Sequence, residues 1–477
     1  MNLVGTNKKH KVVLVRLANP NFNLIAPPIG IGYLMKVLES MDGIEQIFLD
    51  CKLHNIDNNS LLNRLIDLQP LLVGFQIFSV DYGRFKKLLP AIKQRLPNCI
   101  FVAGGPHISG LPVHTLETNP DLDYAIAGEA EEALPLLVES ILSGMKEPAI
   151  DQIPNLIYRR NNKIIRNPQK WIDVNAYGAP AWHLLEPDLY PPVQHGTFHK
   201  NNRVVPILTS RGCPYPCTFC AGHLVTGKKI RLREIKSVVD EIEWLINTYN
   251  FGEFIIEDEN FTYYKSHVIE FADEIQRRNI KCCFSFPNGI RLDRIDEEIV
   301  SRMSEMGTYM VCLGIESGSR ETLTRMGKNW DFDLVRERAS LLKRYGIIVN
   351  ASFILGYRDE AIEDIKQTID FSLSLPVDAA YFGNYLPLPG STDFETLIQQ
   401  GELVLDQISW ESYNSYTGVF PYHPRDISER ELSKAIKVAT IRFYLRPRIM
   451  WGILRRMTHL VFLKSFLFRL YGILFRR

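Results

Sequence analysis

Eleven consecutive residues constrain this chain more than any others: Ser210-Arg211-Gly212-Cys213-Pro214-Tyr215-Pro216-Cys217-Thr218-Phe219-Cys220. They follow an apolar run, residues 203–208, that reads as a strand, so the cysteines begin where that strand stops. Three thiolates within eight residues of loop can fold around one iron–sulfur cube. A cubane has four irons, so three cysteines leave one iron open to bind a small molecule. Zinc is the alternative, although zinc takes four N or S ligands and this C-x3-C-x2-C triplet, with no obvious partner, supplies three. A disulfide loop fits less well, because three closely spaced cysteines cannot all pair.

The remainder of the chain sets the scale. At 477 residues it has room for two or three domains. Its apolar content of 46% and charged content of 23% are ordinary for a globular protein. A net charge of +1 gives no whole-protein reason to expect nucleic acid. The eight cysteines form no even extracellular framework, and the start MNLVGTNKKHKVVLV lacks the pattern of a signal peptide. Both features point to a reducing cytoplasm. No uninterrupted apolar stretch reaches about 18 residues, so no spanning helix is expected.

Residues 11 to about 145 alternate strand and helix signals. Apolar runs at 11–17, 44–49, 71–77, 99–103 and 124–127 read as strands, and 30–39, 60–68 and 85–95 as helices. Such alternation implies a doubly wound, Rossmann-like parallel sheet, whose ligands sit beyond the carboxyl ends of its strands. Those ends carry Asn19-Pro20-Asn21, Ser79, Gly104-Gly105-Pro106-His107 and Gly128-Glu129-Ala130-Glu131. Residues 150–200 lose this periodicity and read as a linker with one hairpin, 155–160 and 163–166.

From 203 to 385 the alternation resumes. Strands at 203–208, 253–257, 281–286, 309–313, 349–355 and 379–385 are separated by helices at 236–250, 266–278, 297–306, 333–345 and 362–373. Six strand–helix units suit a partial (β/α)6 barrel, where function gathers at the carboxyl ends of the strands. The expected organisation is α/β, with a Rossmann-like domain at 1–148, a linker at 149–200, a barrel at 201–390 and a small helical capping region at 391–477.

The cysteine spacing resembles that of the radical SAM superfamily. There the open iron of a 4Fe-4S cluster chelates S-adenosylmethionine, and electron transfer releases a 5′-deoxyadenosyl radical. Pro27-Pro28-Ile29-Gly30-Ile31-Gly32-Tyr33-Leu34, Val102-Ala103-Gly104-Gly105-Pro106-His107 and Ala127-Gly128-Glu129-Ala130-Glu131-Glu132 resemble the cobalamin (B12)-binding domain found ahead of such a barrel. The resemblance implies that Cys213, Cys217 and Cys220 hold the cluster, with Tyr215 and Phe219 shielding it beside the adenine. It implies methionine-amine contacts at Glu257 and Asp258. Ribose and carboxylate contacts fall to Asn288, Arg291 and Glu316, and adenine contacts to Ile354 and Gly356. Carboxylates can accept from the ligand's amine and hydroxyls, and exposed glycine backbone can pair with adenine. Ser79, Gly104, Gly105, His107, Gly128 and Glu129 are the expected cobalamin contacts. Asp50-Cys51-Lys52-Leu53-His54 departs from the D-x-H-x-x-G string of many cobalamin domains, so cobalamin without a protein histidine on cobalt is expected, and loss of cobalamin is the alternative.

The implied activity is methylation of an unactivated carbon of a small-molecule or lipid-like substrate, with electrons from a flavodoxin or ferredoxin. A tetrapyrrole-cyclase-like ring closure and a noncatalytic membrane-surface protein are the alternatives. Methylthiolation of tRNA would call for three more cluster cysteines, and only Cys51 and Cys99 precede the barrel. Lys228, Arg231 and Arg233 read either as contacts to an anionic ligand or as a solvated helix entrance. Leu386-Pro387-Leu388-Pro389-Gly390-Ser391-Thr392 reads as lining the substrate entrance. The segment 442–477 carries nine Arg and Lys and no acid. It reads as a cationic amphipathic surface for an anionic inner membrane face, or as helices packed on the barrel with their basic residues in water.

Overall fold

The structure, a computed structural model, describes residues 9–18, 25–146, 148–191, 199–414 and 420–456. The expected loop 19–21 and the tail beyond 456 lie outside the described residues.

The first sheet has seven strands: β1 (His10–Arg16), β2 (Ile44–Asp50), β3 (Leu72–Gln76), β4 (Ile100–Gly104), β5 (Tyr124–Ile126), β6 (Leu156–Arg160) and β7 (Lys163–Arg166), in the order β2-β1-β3-β4-β5-β6-β7. The first five are parallel, and β6 and β7 run antiparallel at the edge. The hairpin read as linker therefore extends this sheet. Tyr158 of β6 pairs with Tyr124 of β5, a partnership that local pattern cannot announce. Strand order reverses direction between β1 and β3, the switch point where such sheets open a crevice.

The second sheet is parallel throughout. It comprises β8 (Val204–Ile207), β11 (Glu253–Ile256), β12 (Cys283–Ile290), β13 (Thr308–Glu316), β14 (Ile348–Leu355) and β15 (Ala379–Asn384), in that spatial order. Between β8 and β11 lies a two-stranded ribbon, β9 (Ser210–Arg211) with β10 (Arg231–Leu232), which brackets the cysteine loop. Two strands run longer than expected. Pro287, Asn288 and Gly289 lie within β12, and Gly314, Ile315 and Glu316 within β13, because register shifts let the ladder resume past them.

The two sheets share apolar cores. Val12, Leu14, Ile31 and Trp182 on one side of the first sheet are continuous with Val205, Ile207 and Val239 of the second. On the other face, Val13, Phe75, Tyr82 and Phe85 pack with Tyr357, Phe394, Trp410 and Tyr413, so residues beyond the barrel cover the first sheet. The expected C-terminal helix spans Glu429–Tyr444. It is capped by Ser428, which accepts from Glu431 N while the Glu431 carboxylate accepts from Ser428 N. A second helix, Pro447–Arg456, follows. Among the described residues no helix is long and apolar enough to cross a membrane.

Candidate functional site

The cysteine loop is held at its stem from several sides. Asp258, fully buried, accepts from Thr209 N (2.7 Å), Thr209 Oγ1 (2.6 Å) and Ser210 Oγ (2.6 Å). Glu259 accepts from Gly212 N (3.1 Å) and Thr226 Oγ1 (2.6 Å). Gly212 has φ +102°, and a Cβ there would stand 2.3 Å from Lys229 O. Only glycine fits that crossing. Downstream, Thr218 N donates to Met326 O (3.2 Å), and Tyr357 OH stands 2.8 Å from Thr218 Oγ1 while donating to Asp393 (2.6 Å).

The three thiols are half-buried. Burial raises the Cys213 and Cys220 thiols above the ordinary cysteine range, and the neighbouring thiols of the trio push the same way. Cys220 Sγ accepts from Gly222 N at 3.4 Å, the kind of bond that tunes a ligated sulfur. Among the described residues no three His, Cys, Asp or Glu side chains close on a single ion-sized point. Thiolates on three corners of a cubane stand on three different irons and need no common centre.

Around the loop, the carboxyl ends of β11 to β14 bring several expected residues together. Asn288 Nδ2 donates to Glu257 Oε2 (2.5 Å). Arg291 stacks over Tyr215, 3.4 Å from the ring centroid, and lies 4.7 Å from the Trp330 ring. Glu316, at φ +67°, pairs with Lys328 (2.8 Å), whose ammonium also donates to Gly314 O (3.1 Å) and sits 5.6 Å over the Phe219 ring. Ile354 is half-buried on the core shared with Phe219. Asn260, beside Glu259, is buried with neither side-chain polar atom partnered by protein, which leaves a donor and an acceptor for a bound group. Lys328 and Asn260 escape a sequence reading; a Gly-Lys pair twelve residues after Glu316 is the only hint for the first.

Other expected contacts do not reach this constellation. Asp258 is turned into the loop stem. Gly356 N donates to Glu360 (2.7 Å), and a Cβ on Gly356 would meet Leu432 at 2.5 Å, so helix Glu429–Tyr444 explains this glycine. Arg231 and Arg233 are turned into the protein rather than forming a solvated helix entrance. They pair with Glu129 (2.7 Å) and Glu241 (2.7 Å) inside the protein. Gly390 packs on Gly110 and Leu224, so the 386–392 loop is a junction between the first sheet, the cysteine loop and the barrel.

At the first sheet, a Cβ on Gly104 would stand in ordinary contact with Ile126 O, at 3.6 Å. Gly105, at φ +104°, is required by the Ile77 backbone, which a Cβ would approach to 2.9 Å. Gly128 is required by Gln169 and Trp171, and Glu129 is consumed by Arg211, Arg231 and the Ile172 amide. His107 is enclosed, its ring stacked on Tyr82 at 4.1 Å and edge-on to Trp410 at 4.7 Å, with Nδ1 3.2 Å from Ser79 Oγ. Burial pushes its pKa down to about 3, so it is neutral. His54 pairs with Glu186 (3.3 Å). What remains at the switch point is the start of helix Ile29–Glu39, whose N-terminus has no side-chain cap, facing Gln76, whose Oε1 is buried without a partner. Orphan amide donors opposite an orphan acceptor suit the amide-fringed periphery of a corrin. Cys51 and Cys99 lie in the apolar core with their thiols pushed up to about 12 by burial, which removes the extra cluster cysteines that methylthiolation would require.

Fold and site together define an iron–sulfur enzyme of two α/β sheets, one suited to a corrinoid. Residues 207–372 match the radical SAM superfamily and residues 15–138 match the B12 binding domain, and the two matches cover more than half of the chain. The chain belongs to the radical SAM enzymes that carry a B12-binding domain, with a 4Fe-4S cluster, S-adenosylmethionine and cobalamin as the cofactors of that pairing. It is 26% identical over 428 residues to an uncharacterized methyltransferase of Pyrococcus horikoshii, covering 89% of each chain. It is 25% identical over 421 residues to the anaerobic magnesium-protoporphyrin IX monomethyl ester cyclase of Rubrivivax gelatinosus, covering 88% of this chain and 74% of the cyclase. The radical S-adenosylmethionine methyltransferase TsrM from Kitasatospora setae, solved with cobalamin and a 4Fe-4S cluster bound, superposes with a TM-score of 0.66. That likeness covers 82% of this chain and 75% of TsrM at 21% identity, which shows a shared fold.

Proposed function

We propose that this enzyme transfers a methyl group to an unactivated carbon of an organic substrate, using cobalamin and radical S-adenosylmethionine chemistry. The observation that carries the reading is the junction itself. The loop after β5 grips the residue two before the first cysteine, so the carboxyl ends of both sheets meet at the thiols. When bound, the cluster with S-adenosylmethionine supplies a radical able to abstract hydrogen, and cobalamin supplies a transferable methyl group. Cys213, Cys217 and Cys220 would hold the cluster. Glu257, Asn288, Arg291, Glu316 and Asn260 would orient S-adenosylmethionine, while Phe219 and Tyr215 shield the cluster from water. Gln76 and the start of helix Ile29–Glu39 would receive the corrin fringe.

Anaerobic, reconstituted enzyme reduced with dithionite should form 5′-deoxyadenosine and bind a corrinoid visible by its absorption. Cys217→Ala should abolish the 5′-deoxyadenosine. Undiminished turnover by that variant would overturn the assignment. The resemblance to a magnesium-protoporphyrin ester cyclase supports a second reading, ring closure; S-adenosylmethionine labelled in its methyl group separates the two, since only methyl transfer leaves the label in the product.

The electron donor in this reading is a flavodoxin or ferredoxin, and the C-terminal helices touch an anionic membrane surface. Arg446 turns inward, donating to Leu373 O (2.7 Å), and Arg448, exposed, donates to Val377 O (3.0 Å), while Val438, Ile441, Leu445, Met450 and Trp451 face outward.

A further inference from the structure

Two carboxylates of the first sheet have no role in the chemistry proposed above, yet they lie among the most deeply placed charges in the chain. Glu129 and Glu131 follow β5. Arg211 Nη1 donates to Glu129 Oε1 (3.0 Å) and to Glu131 Oε1 (2.7 Å), and its guanidinium lies 4.5 Å from the Tyr33 ring centroid. Arg231, across the ribbon from Arg211, closes a two-pronged pair on Glu129 (2.7 and 2.8 Å) and reaches Thr226 O (2.6 Å) in the helix after the last cysteine. All four side chains are buried or nearly so. The contacts therefore grip the cysteine loop on both of its strands, ahead of Cys213 and behind Cys220.

Trp171 reinforces the grip. Its ring lies between Gly128 of the first sheet and Gly227 of the cysteine loop. A Cβ on either glycine would approach the ring to 3.3 Å or 3.0 Å. The Arg231 guanidinium stands 5.6 Å from the same ring. Two guanidinium and two carboxylate groups balance in charge, so removing one carboxylate leaves a net positive charge in a buried group that includes Arg211, two residues before a cluster ligand.

We infer that Glu129 and Glu131 are positioning residues for the iron–sulfur loop, so that the cobalamin-domain sheet completes the cluster site. The inference rests on the radical SAM reading of the cysteines and adds to it that the barrel alone does not fix their geometry. A cation left uncompensated beside the cluster stabilises its reduced, more negative state, and a loop freed of its grip samples more than one arrangement.

The test uses the full chain and the variants Glu131→Gln, Glu129→Gln/Glu131→Gln and the charge-keeping Glu131→Asp. Hydrogen–deuterium exchange on protein without iron reports residues 208–233 directly. The double variant should exchange there at least tenfold faster, with helix Ser79–Arg95 unchanged as the control for folding. In reconstituted protein, the dithionite-reduced cluster of the double variant should show a second paramagnetic species and a raised midpoint potential. Glu131→Asp should return both toward the parent. Parent-like exchange, spectrum and potential in the double variant would overturn the inference while leaving the enzymatic reading intact. A parent chain that takes up no cluster, with exchange still accelerated in the variants, would uphold the grip and refute the radical SAM reading instead.

Discussion

Gly128-Glu129-Ala130-Glu131 and Glu257-Asp258-Glu259-Asn260 are the same device in two sheets: acids at the carboxyl end of a parallel strand, where ligands bind. They are used differently. In the first sheet both Glu129 and Glu131 are taken by arginines of the cysteine loop. In the second, Asp258 and Glu259 hold the same loop through neutral donors, while Glu257 meets Asn288 near the surface. An acid within reach of the loop stem is taken up by it, and Glu257, beyond that reach, meets a strand-end side chain instead. Whether a strand-end carboxylate is a binding residue is thus decided by what the next loop carries rather than by its own sequence.

The hardest test of this contrast falls on the point that both sets of acids converge upon. Gly212→Ala places a methyl group against Lys229 O at a positive φ, and should cost at least about 3 kcal/mol while abolishing cluster uptake, measured as iron per chain. Retention of a full iron complement would mean that the stem is softer than its contacts imply. The next largest difference is within one string. Asp258→Ala strands the Ser210 hydroxyl and the Thr209 amide in a buried site and should lower stability by roughly 3 kcal/mol. Glu257→Gln should change thermal stability by less than about 1 kcal/mol and weaken S-adenosylmethionine binding instead. Equal destabilisation by the two would erase the distinction.

Two buried groups, His107 beside the first sheet and Glu360 beside the second, titrate in opposite senses. His107 is buried neutral beside the first sheet, its pKa lowered to about 3 from 6.5 by burial. The unfolded chain then binds the extra proton, so its contribution is present above pH 6.5 and lost on acidification, by about 2 kcal/mol at pH 5. Glu360 lies behind β14 with its pKa raised to about 7 from 4.5 by burial. Here the folded chain holds the proton more tightly, so the contribution is present below pH 4.5 and lost as pH rises to 7, by about 3 kcal/mol. Melting curves of His107→Phe and Glu360→Gln against pH should therefore diverge from the parent with opposite slopes. Parallel curves for either variant would show that its group is not buried as described.

Much of this was legible in the sequence. The apolar runs locate every strand of the first parallel set and all six of the barrel, since a strand buried on both faces announces itself as a continuous apolar stretch. What sequence could not deliver is the destination of polar residues past the strand ends. Nothing in Glu257-Asp258-Glu259 marks the middle acid as the fully buried one. Arg211 stands beside the first cysteine, but its partners lie some 80 residues earlier, and only the meeting of two sheets unites them. The reach of β12 through Asn288 and Gly289 was hidden by a glycine at φ +98° inside an irregular ladder. The sequence offers His107 as a cobalamin contact and hides its enclosure, because that enclosure depends on Trp410, three hundred residues on.

Where both sheets turn charge inward, the C-terminal helices turn apolar surface outward, and this last contrast predicts the smallest effect. Phe443 and Ile449 are buried against the barrel, whereas Leu445 and Trp451 are 64% and 61% exposed, with no acid after Glu431 to oppose an anionic surface. Two apolar side chains entering a lipid interface are worth on the order of 1–3 kcal/mol, so Leu445→Ser/Trp451→Ser should reduce partition onto phosphatidylserine-containing vesicles roughly tenfold or more. Partition onto neutral vesicles should be weak for parent and variant alike, since the basic residues then have no counterpart. An unchanged partition onto the anionic vesicles would return this outward face to protein packing, and would leave the inward-turned Arg446 as an anchor of a helix pair rather than part of a membrane surface.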